Sequence, residues 1–186
     1  MPPKAPEVRR IARQVLDPAL SGIGFQYRVR PQPRWTTKRG DATVTFRLLF
    51  SPWNYGDAPT GYEFTGELEV ETTQPVALLR LFHGLSDAER EDFRRRQNLV
   101  IAKIPVDEAE LDALPPEWQA DRLAQVAPRW APYPRNVEVW FRYIDETDVR
   151  RWCQFIADVL PGCVELILQP ASGHIGGPSR IPAYRP

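Results

Sequence analysis

One stretch of the chain, residues 41–71, constrains the fold more than any other. Apolar residues alternate with polar ones along two arms, Asp41–Phe50 and Tyr62–Glu71, and the turn-rich segment SPWNYGDAPTG joins them. A period of two indicates strands with one face on a core and the other in water. The inward side chains of this predicted hairpin are Val44, Phe46, Leu48, Phe50, Phe64, Leu68 and Val70, and the outward ones include Arg47, Glu67 and Glu69. Gly66, on the inward face, indicates a bulge or a large neighbour packed over it.

Two amphipathic helices are predicted on either side of the hairpin. From Glu7 to Leu20 apolar residues recur at i, i+3, i+4 and i+7, after a loose tail over residues 1–6. A second stripe begins after a cap at Asp145 and ends at Pro161–Gly162, and its members are Val149, Trp152, Cys153, Ile156 and Leu160. Apolar stripes of this kind need a sheet to pack on. The sequence therefore predicts an α+β fold, an antiparallel-rich sheet with the N-terminal and C-terminal helices packed on one face.

The remaining segments carry weaker periodic signals. Strands are predicted at Phe25–Val29, at Trp35–Lys38 before a turn over residues 39–41, at Val137–Tyr143, at Leu99–Val106 and at Val164–Leu168. Residues 76–85 are predicted to form a short helix. A further helix begins at Ser86, which has capping-box spacing to Glu89. It is expected to bury little beyond Ala88 and Phe93 and to be an exposed segment.

The length of 186 residues suits a single domain. Residues 86–135 are interpreted as an insertion laid over the core, since they hold too little apolar surface to fold alone. Within it we expect a short helix ending at Leu114 and another restarted by Pro115–Pro116, with Trp118, Leu123 and Val126 available for packing. Residues 170–186 are rich in glycine and proline and are predicted to be a loose tail.

Charge and composition narrow the class of protein. The 24 basic and 24 acidic residues cancel, which makes nucleic acid an unlikely partner, because such binders need a basic excess. No segment has the length and apolarity of a membrane span or a signal peptide, so we predict a cytoplasmic protein without a membrane partner. Cys153 and Cys163 are expected to be buried free thiols. No HxH, HExxH or CxxC spacing occurs, so neither a metal nor a cofactor is predicted.

Four carboxylates on one strand face offer one candidate site. Glu63, Glu67, Glu69 and Glu71 include neighbours two apart on a strand, which lie about 6.5–7 Å from each other. That separation suits a general acid and base of the glycosidase type. The simpler interpretation is a solvated face balanced by Arg28, Arg30 and Arg47.

The loop between the hairpin arms is the preferred candidate site. Trp53, Asn54 and Tyr55 combine large aromatic surface with hydrogen-bonding groups, and Trp and Tyr dominate the hot spots of protein interfaces. Long loops on a rigid sheet also tend to carry binding residues. The alternative is that the loop folds back and Trp53 caps the edge of the core.

Three stretches of the chain resemble a group of small bacterial domains of unknown function. They are the first helix running into Gly-Phe, the segment WTTKRGDATVTFRLLFSPWN, and VWFRYIDETDVRRW before the last helix. The matching positions are Gly24, Phe25, Trp35, Ser51, Trp53, Trp140 and Asp148. The resemblance covers roughly half of the chain, and residues 86–135 match nothing in the group. Because some such domains are encoded beside toxin genes, it implies an immunity or antitoxin-like role.

We therefore expect a non-enzymatic bacterial protein-binding module with an unknown protein as its partner. The alternative from another class is a hydrolase or transferase that uses the Glu63–Glu71 face. The sequence leaves the oligomeric state open.

Overall fold

The computed structural model describes residues 2–29, 33–51, 62–71, 77–104, 106, 108–128 and 139–168. The helices are α1 (Ala5–Gly22), α2 (Asp87–Ile101), α3 (Glu108–Asp112), α4 (Pro116–Val126) and α5 (Glu146–Leu168), and a 3₁₀ turn spans Leu81–Gly84. The strands are β1 (Gln26–Arg28), β2 (Arg34–Arg39), β3 (Ala42–Phe50), β4 (Tyr62–Glu71), β5 (Ala77–Arg80) and β6 (Phe141–Tyr143).

The predicted hairpin is the centre of a six-stranded antiparallel sheet. The strands follow the order β1-β2-β3-β4-β5, and β6 also pairs with β4, at the end of β4 that β5 leaves uncovered. Phe46 lies opposite Leu68, and Leu48 lies opposite Gly66. The inward face is buried as the alternation predicts. At Gly66 the large neighbour is Phe46, whose ring would lie 2.8 Å from an added Cβ.

The two long helices pack on the sheet, which confirms the α+β prediction. Most of the predicted α1 stripe is buried, namely Val8, Ile11, Ala12, Leu16 and Leu20, whereas Val15 is half-buried and Ala19 is exposed. The helix begins at Ala5, slightly earlier than expected. Pro6 fits this first turn because its missing N–H would have no intrahelical acceptor. At the start of α5 the Asp148 N–H donates to Asp145 Oδ1 over 2.9 Å, as the cap predicts.

Helix α2 belongs to the core, and the expectation that it is exposed was wrong. Its Phe93 is fully buried, with ring centroids 5.2 Å from Phe82, 5.4 Å from Phe141 and 5.1 Å from Trp152. The predicted capping box at Ser86 is present. The burial of Phe93 was predicted, but Ala88 is exposed, and the buried face also includes Arg90, Gln97, Val100 and Ile101. Because two of these residues are polar, the face has little apolar periodicity.

The amide of Gln97 in α2 completes the free edge of β6. Its Nε2 donates to the Trp140 carbonyl over 3.1 Å, and its Oε1 accepts the Arg142 N–H over 3.2 Å. The side chain therefore makes the two bonds that a further strand would make.

Residues 77–85 do not form the α-helical segment that was predicted over residues 76–85. Ala77–Arg80 is strand β5, which pairs with the second half of β4, and a 3₁₀ turn follows. Periodicity cannot separate helix from strand in an apolar run this short.

Two predicted strands are helical. The first half of Leu99–Val106 ends α2, because Val100 and Ile101 continue its buried face from Phe93. Val164–Leu168 belongs to α5, which runs through Pro161. Cys163 and Val164 extend the buried stripe from Leu160, so packing overrides the proline signal.

The outer strands are shorter than predicted. Phe25 is buried, but Val29 lies beyond β1 and is exposed. Regular pairing in the C-terminal strand covers only Phe141–Tyr143, and residues 129–138 lie outside the described part of the chain. The same holds for the tail at 170–186. Nothing in the fold tests whether residues 86–135 are an insertion, and that stays a prediction.

Within the described residues, none of the helices combines the length and the apolarity that crossing a bilayer requires.

Candidate functional surfaces

The predicted binding residues Trp53, Asn54 and Tyr55 lie outside the residues that the structure describes. The loop starts after Ser51, which is buried, and returns at Tyr62, the first residue of β4. Their role stays a prediction.

The carboxylates of β4 are held by arginines from neighbouring strands. Arg47, Glu67 and Glu69 were expected to be exposed, but Glu67 is only 5% exposed and the other two are half-buried. Arg47 on β3 donates from Nε to its Oε1 over 2.7 Å, and the Arg80 guanidinium on β5 lies 3.2 Å from its Oε2. Because residues 77–80 form a strand, Glu67 has a partner strand on both sides, which the sequence did not show.

The other carboxylates of this face differ in their surroundings. Glu63 accepts from Arg142 Nη2 on β6 over 2.8 Å, and Glu69 lies 3.7 Å from the Arg47 guanidinium. Glu71 is exposed at the end of β4. The negative charge of this face is therefore balanced by Arg80 and Arg142 as well as by the predicted Arg47. Arg28, which was also predicted to balance it, donates to Gln26 instead.

Both cysteines are buried and free, as predicted. Burial raises the pKa of the Cys153 thiol to about 12, and burial raises the pKa of Cys163 to about 12 as well. A thiol in this state is not a nucleophile near neutral pH. Across the described part of the chain, no group of three or more His, Cys, Asp or Glu side chains is placed to hold a metal ion.

An ion-pair cluster fixes the segment that leaves α2. Lys103 binds both Asp145, over 3.0 Å, and the buried carboxylate of Asp148 at the start of α5. Burial opposes the charged form of Lys103, yet its hydrogen bonds to Asp148 and Asp145 raise its pKa. Burial likewise works against ionised Asp145, but bonds from the Asp148 N–H and from Lys103 lower its pKa.

Beyond this cluster, helices α3 and α4 follow one another and contact each other. Because residues 108–126 are rich in carboxylates, we refer to them as the acidic hairpin. Pro115 and Pro116 separate the two helices, and Pro116 is the first residue of α4. The Gln119 side chain then donates to the Leu114 carbonyl over 2.8 Å, which ties α4 to the turn. None of the residues described in α3 or α4 belongs to the hydrophobic core.

The acidic hairpin exposes large apolar side chains. Trp118 is 61% exposed and Leu123 is 45% exposed, although the sequence assigned both to packing. Every side chain described in α4 is exposed or half-buried. Trp118 therefore presents a large aromatic surface to solvent on a helix outside the core.

The charge of the hairpin is one-sided, although the whole chain is neutral. Residues 108–126 contain five carboxylates and one arginine, and these are Glu108, Glu110, Asp112, Glu117, Asp121 and Arg122. A partner that meets this surface must therefore offer basic groups around an apolar site.

The sequence did carry a signal for this surface. Trp118 and Leu123 are five residues apart, so they lie on different sides of a helix, and one buried face cannot contain both side chains. That mismatch, together with the local acidic excess, separates the hairpin from a core helix.

Comparison of the chain with protein-family models, with curated proteins and with solved structures finds no match.

Proposed function

We propose that the protein is a non-enzymatic protein-binding module and that the acidic hairpin of residues 108–126 is a docking surface for a basic protein partner. The observation that carries the proposal is Trp118, a large aromatic side chain that is 61% exposed on a helix outside the core. Trp is among the residues most enriched in interface hot spots. The surrounding carboxylates supply the long-range attraction that steers a basic partner toward it.

The binding role is tested by capture and reconstitution. Tagged wild type and a Trp118→Ala variant are used to capture proteins from the native host, and a protein retained only by wild type is purified. Its Kd is then measured for both forms. Removal of a hot-spot tryptophan costs about 2 kcal/mol or more, which weakens binding about thirtyfold.

The matched control is Leu99→Ala. Leu99 is also a largely exposed apolar residue, but it lies on α2, outside residues 108–126. This variant should bind like wild type. Both substitutions remove exposed groups, so each should change the free energy of unfolding by less than about 1 kcal/mol. Equal affinity of wild type and Trp118→Ala for every partner recovered would refute the assigned surface.

The same experiment tests the predicted loop. Replacing Trp53 and Tyr55 together by alanine should also weaken binding if the loop forms part of the contact. Loss of folding in this double variant would instead identify Trp53 as a cap of the core edge.

The finer role that we propose is neutralisation of a toxin. It is supported by the resemblance to small bacterial domains, some of them encoded beside toxin genes, and by the acidic docking surface, which suits a basic target. Co-expression with a toxic neighbouring gene product should rescue growth, and the Trp118→Ala variant should rescue it less. Growth arrest that persists with wild type would contradict this role.

The alternative role as a hydrolase or transferase receives less support from the geometry. Glu67 is enclosed between two guanidiniums, and Glu63 is bonded to a third. Both carboxylates therefore already accept from arginine donors, which leaves fewer of their oxygens free to contact a substrate.

A further inference from the structure

The exposed face of α1 borders an open depression of about 490 Å³. Its polar lining consists of Arg9, Arg10, Arg13, Gln14, Asp17 and Tyr27. We refer to it as the basic depression. It lies on elements other than the acidic hairpin and uses none of the carboxylates of β4.

Two of its arginines stack on aromatic rings. The Arg9 guanidinium lies 4.8 Å from the centroid of Phe50, and the Arg13 guanidinium lies 4.3 Å from the centroid of Tyr27. A guanidinium that stacks on an aromatic ring is held in place by the ring. Its N–H groups lie in the guanidinium plane, so they point outward past the edge of the ring. The rings therefore orient the donors before any ligand arrives.

Arg9 and Arg10 retain donor capacity. Among the described residues, neither side chain donates a hydrogen bond, and Arg10 has only an ion pair with Glu146, over 3.8 Å. Each guanidinium carries five N–H donors. Both side chains line the depression, and each guanidinium is itself a planar fork that can hold two oxygens of an anion.

The one carboxylate in the lining is already satisfied. Asp17 accepts from Arg13 Nε over 3.1 Å and from the Trp35 indole Nε1 over 2.7 Å. Its charge is thereby matched by Arg13. The carboxylate nearest to Arg10, that of Glu146, lies 3.8 Å away and also accepts from Arg150, so Arg9 and Arg10 give the depression its positive charge.

We propose that the basic depression binds the oxyanion group of a ligand, a phosphate or a carboxylate, through Arg9 and Arg10. Both anions present oxygens at a spacing that an arginine fork fits. The site is independent of the protein-binding role.

The indole N–H of Trp35 provides a built-in reporter because it donates to Asp17 at the edge of the depression. Its NMR resonance is followed during titration with inorganic phosphate and, separately, with succinate. Sodium chloride at equal ionic strength serves as the reference. We expect a saturable shift of this resonance with one or both oxyanions and none with chloride. A shift with phosphate alone, or with succinate alone, would identify which oxyanion the site binds.

The variant Arg9→Gln with Arg10→Gln should weaken that binding about tenfold or more, since charged hydrogen bonds are lost. The control is Arg95→Gln with Arg151→Gln, which removes the same charge from exposed positions on α2 and α5. It should leave Kd within about twofold, because only long-range attraction changes. If the double variant fails to fold, Arg10→Gln alone, at a half-exposed side chain, should still weaken binding. Absence of a saturable shift, an equal shift with chloride, or equal weakening in the control would overturn the proposal.

Discussion

Replacing Gly66 by alanine tests the packing at the centre of the sheet. Gly66 lies on the inward face of β4 opposite Leu48. A Cβ at this position would lie 2.8 Å from Phe46 Cε2, 3.1 Å from Phe46 Cζ and 3.3 Å from Leu81 Cδ2. Real Cβ atoms do not approach ring carbons so closely, so Phe46 must move or the strand must shift.

Two effects of opposite sign set the magnitude. Overpacking a tight core by one methyl group costs about 1–3 kcal/mol. Alanine also restricts the unfolded chain, which stabilises by about 0.4–1 kcal/mol. Because Phe46 is fully buried and has no room to turn aside, the steric cost wins. We expect a net loss of about 1–2 kcal/mol.

The assay is urea unfolding followed by circular dichroism, with Gly162→Ala as the matched control. Gly162 lies inside α5, and an added Cβ there would meet nothing within 4 Å. This control should gain about 0.5–1 kcal/mol, since only the backbone effect operates. A neutral or stabilising Gly66→Ala, with the control behaving as expected, would refute the close packing of Phe46 over β4.

Three further predictions follow from the core and its ion pairs. Phe93→Ala should cost about 3–5 kcal/mol in urea unfolding, because the ring is fully buried, and a cost below about 1 would show α2 to be peripheral. The stability deficit of Lys103→Met should be constant near neutral pH. This deficit should shrink as the pH falls below 3.8, the ordinary pKa of Asp145, because the lowered pKa of that carboxyl is then passed. It should also shrink as the pH rises above 10.5, the ordinary pKa of Lys103, because the raised pKa of that amine is then passed. A deficit that does not change with pH would contradict the ion pair. Cys153 and Cys163 should resist a disulfide-exchange reagent at pH 8 in the native protein and both react in denaturant, whereas rapid native reaction would contradict their burial.

The elements with a long regular pattern could be predicted from sequence. The alternation in β3 and β4 and the stripes of α1 and α5 persist over several repeats, and each was placed with its correct buried face. Both cap signals, Ser86 with Glu89 and Asp145 with Asp148, also hold, because local hydrogen bonds do not depend on distant packing.

The remaining elements depend on tertiary contacts that no local pattern shows. Residues 77–80 become a strand because β4 offers an unpaired edge, and the burial of Glu67 follows from that pairing. Helix α5 crosses Pro161 because Cys163 and Val164 find space in the core. In each case a non-local gain exceeds the local preference.

The candidate surfaces, like the fold, could be predicted from the sequence only in part. Arg47, one partner of Glu67, was predicted from the hairpin, whereas Arg80 and Arg142 come from strands that the sequence did not place beside β4. The acidic hairpin was assigned to packing because exposure depends on what the rest of the chain leaves uncovered. Its local charge excess was visible in the sequence.

The most direct test of the docking surface is a photo-cross-linking residue placed at position 118, compared with the same residue at position 99. Both sites are exposed in the folded chain. Illumination in the native host should give a covalent adduct with one basic protein from position 118 and none with that protein from position 99. Adducts of equal yield from both positions, or none from position 118 while the partner still co-purifies, would contradict the account.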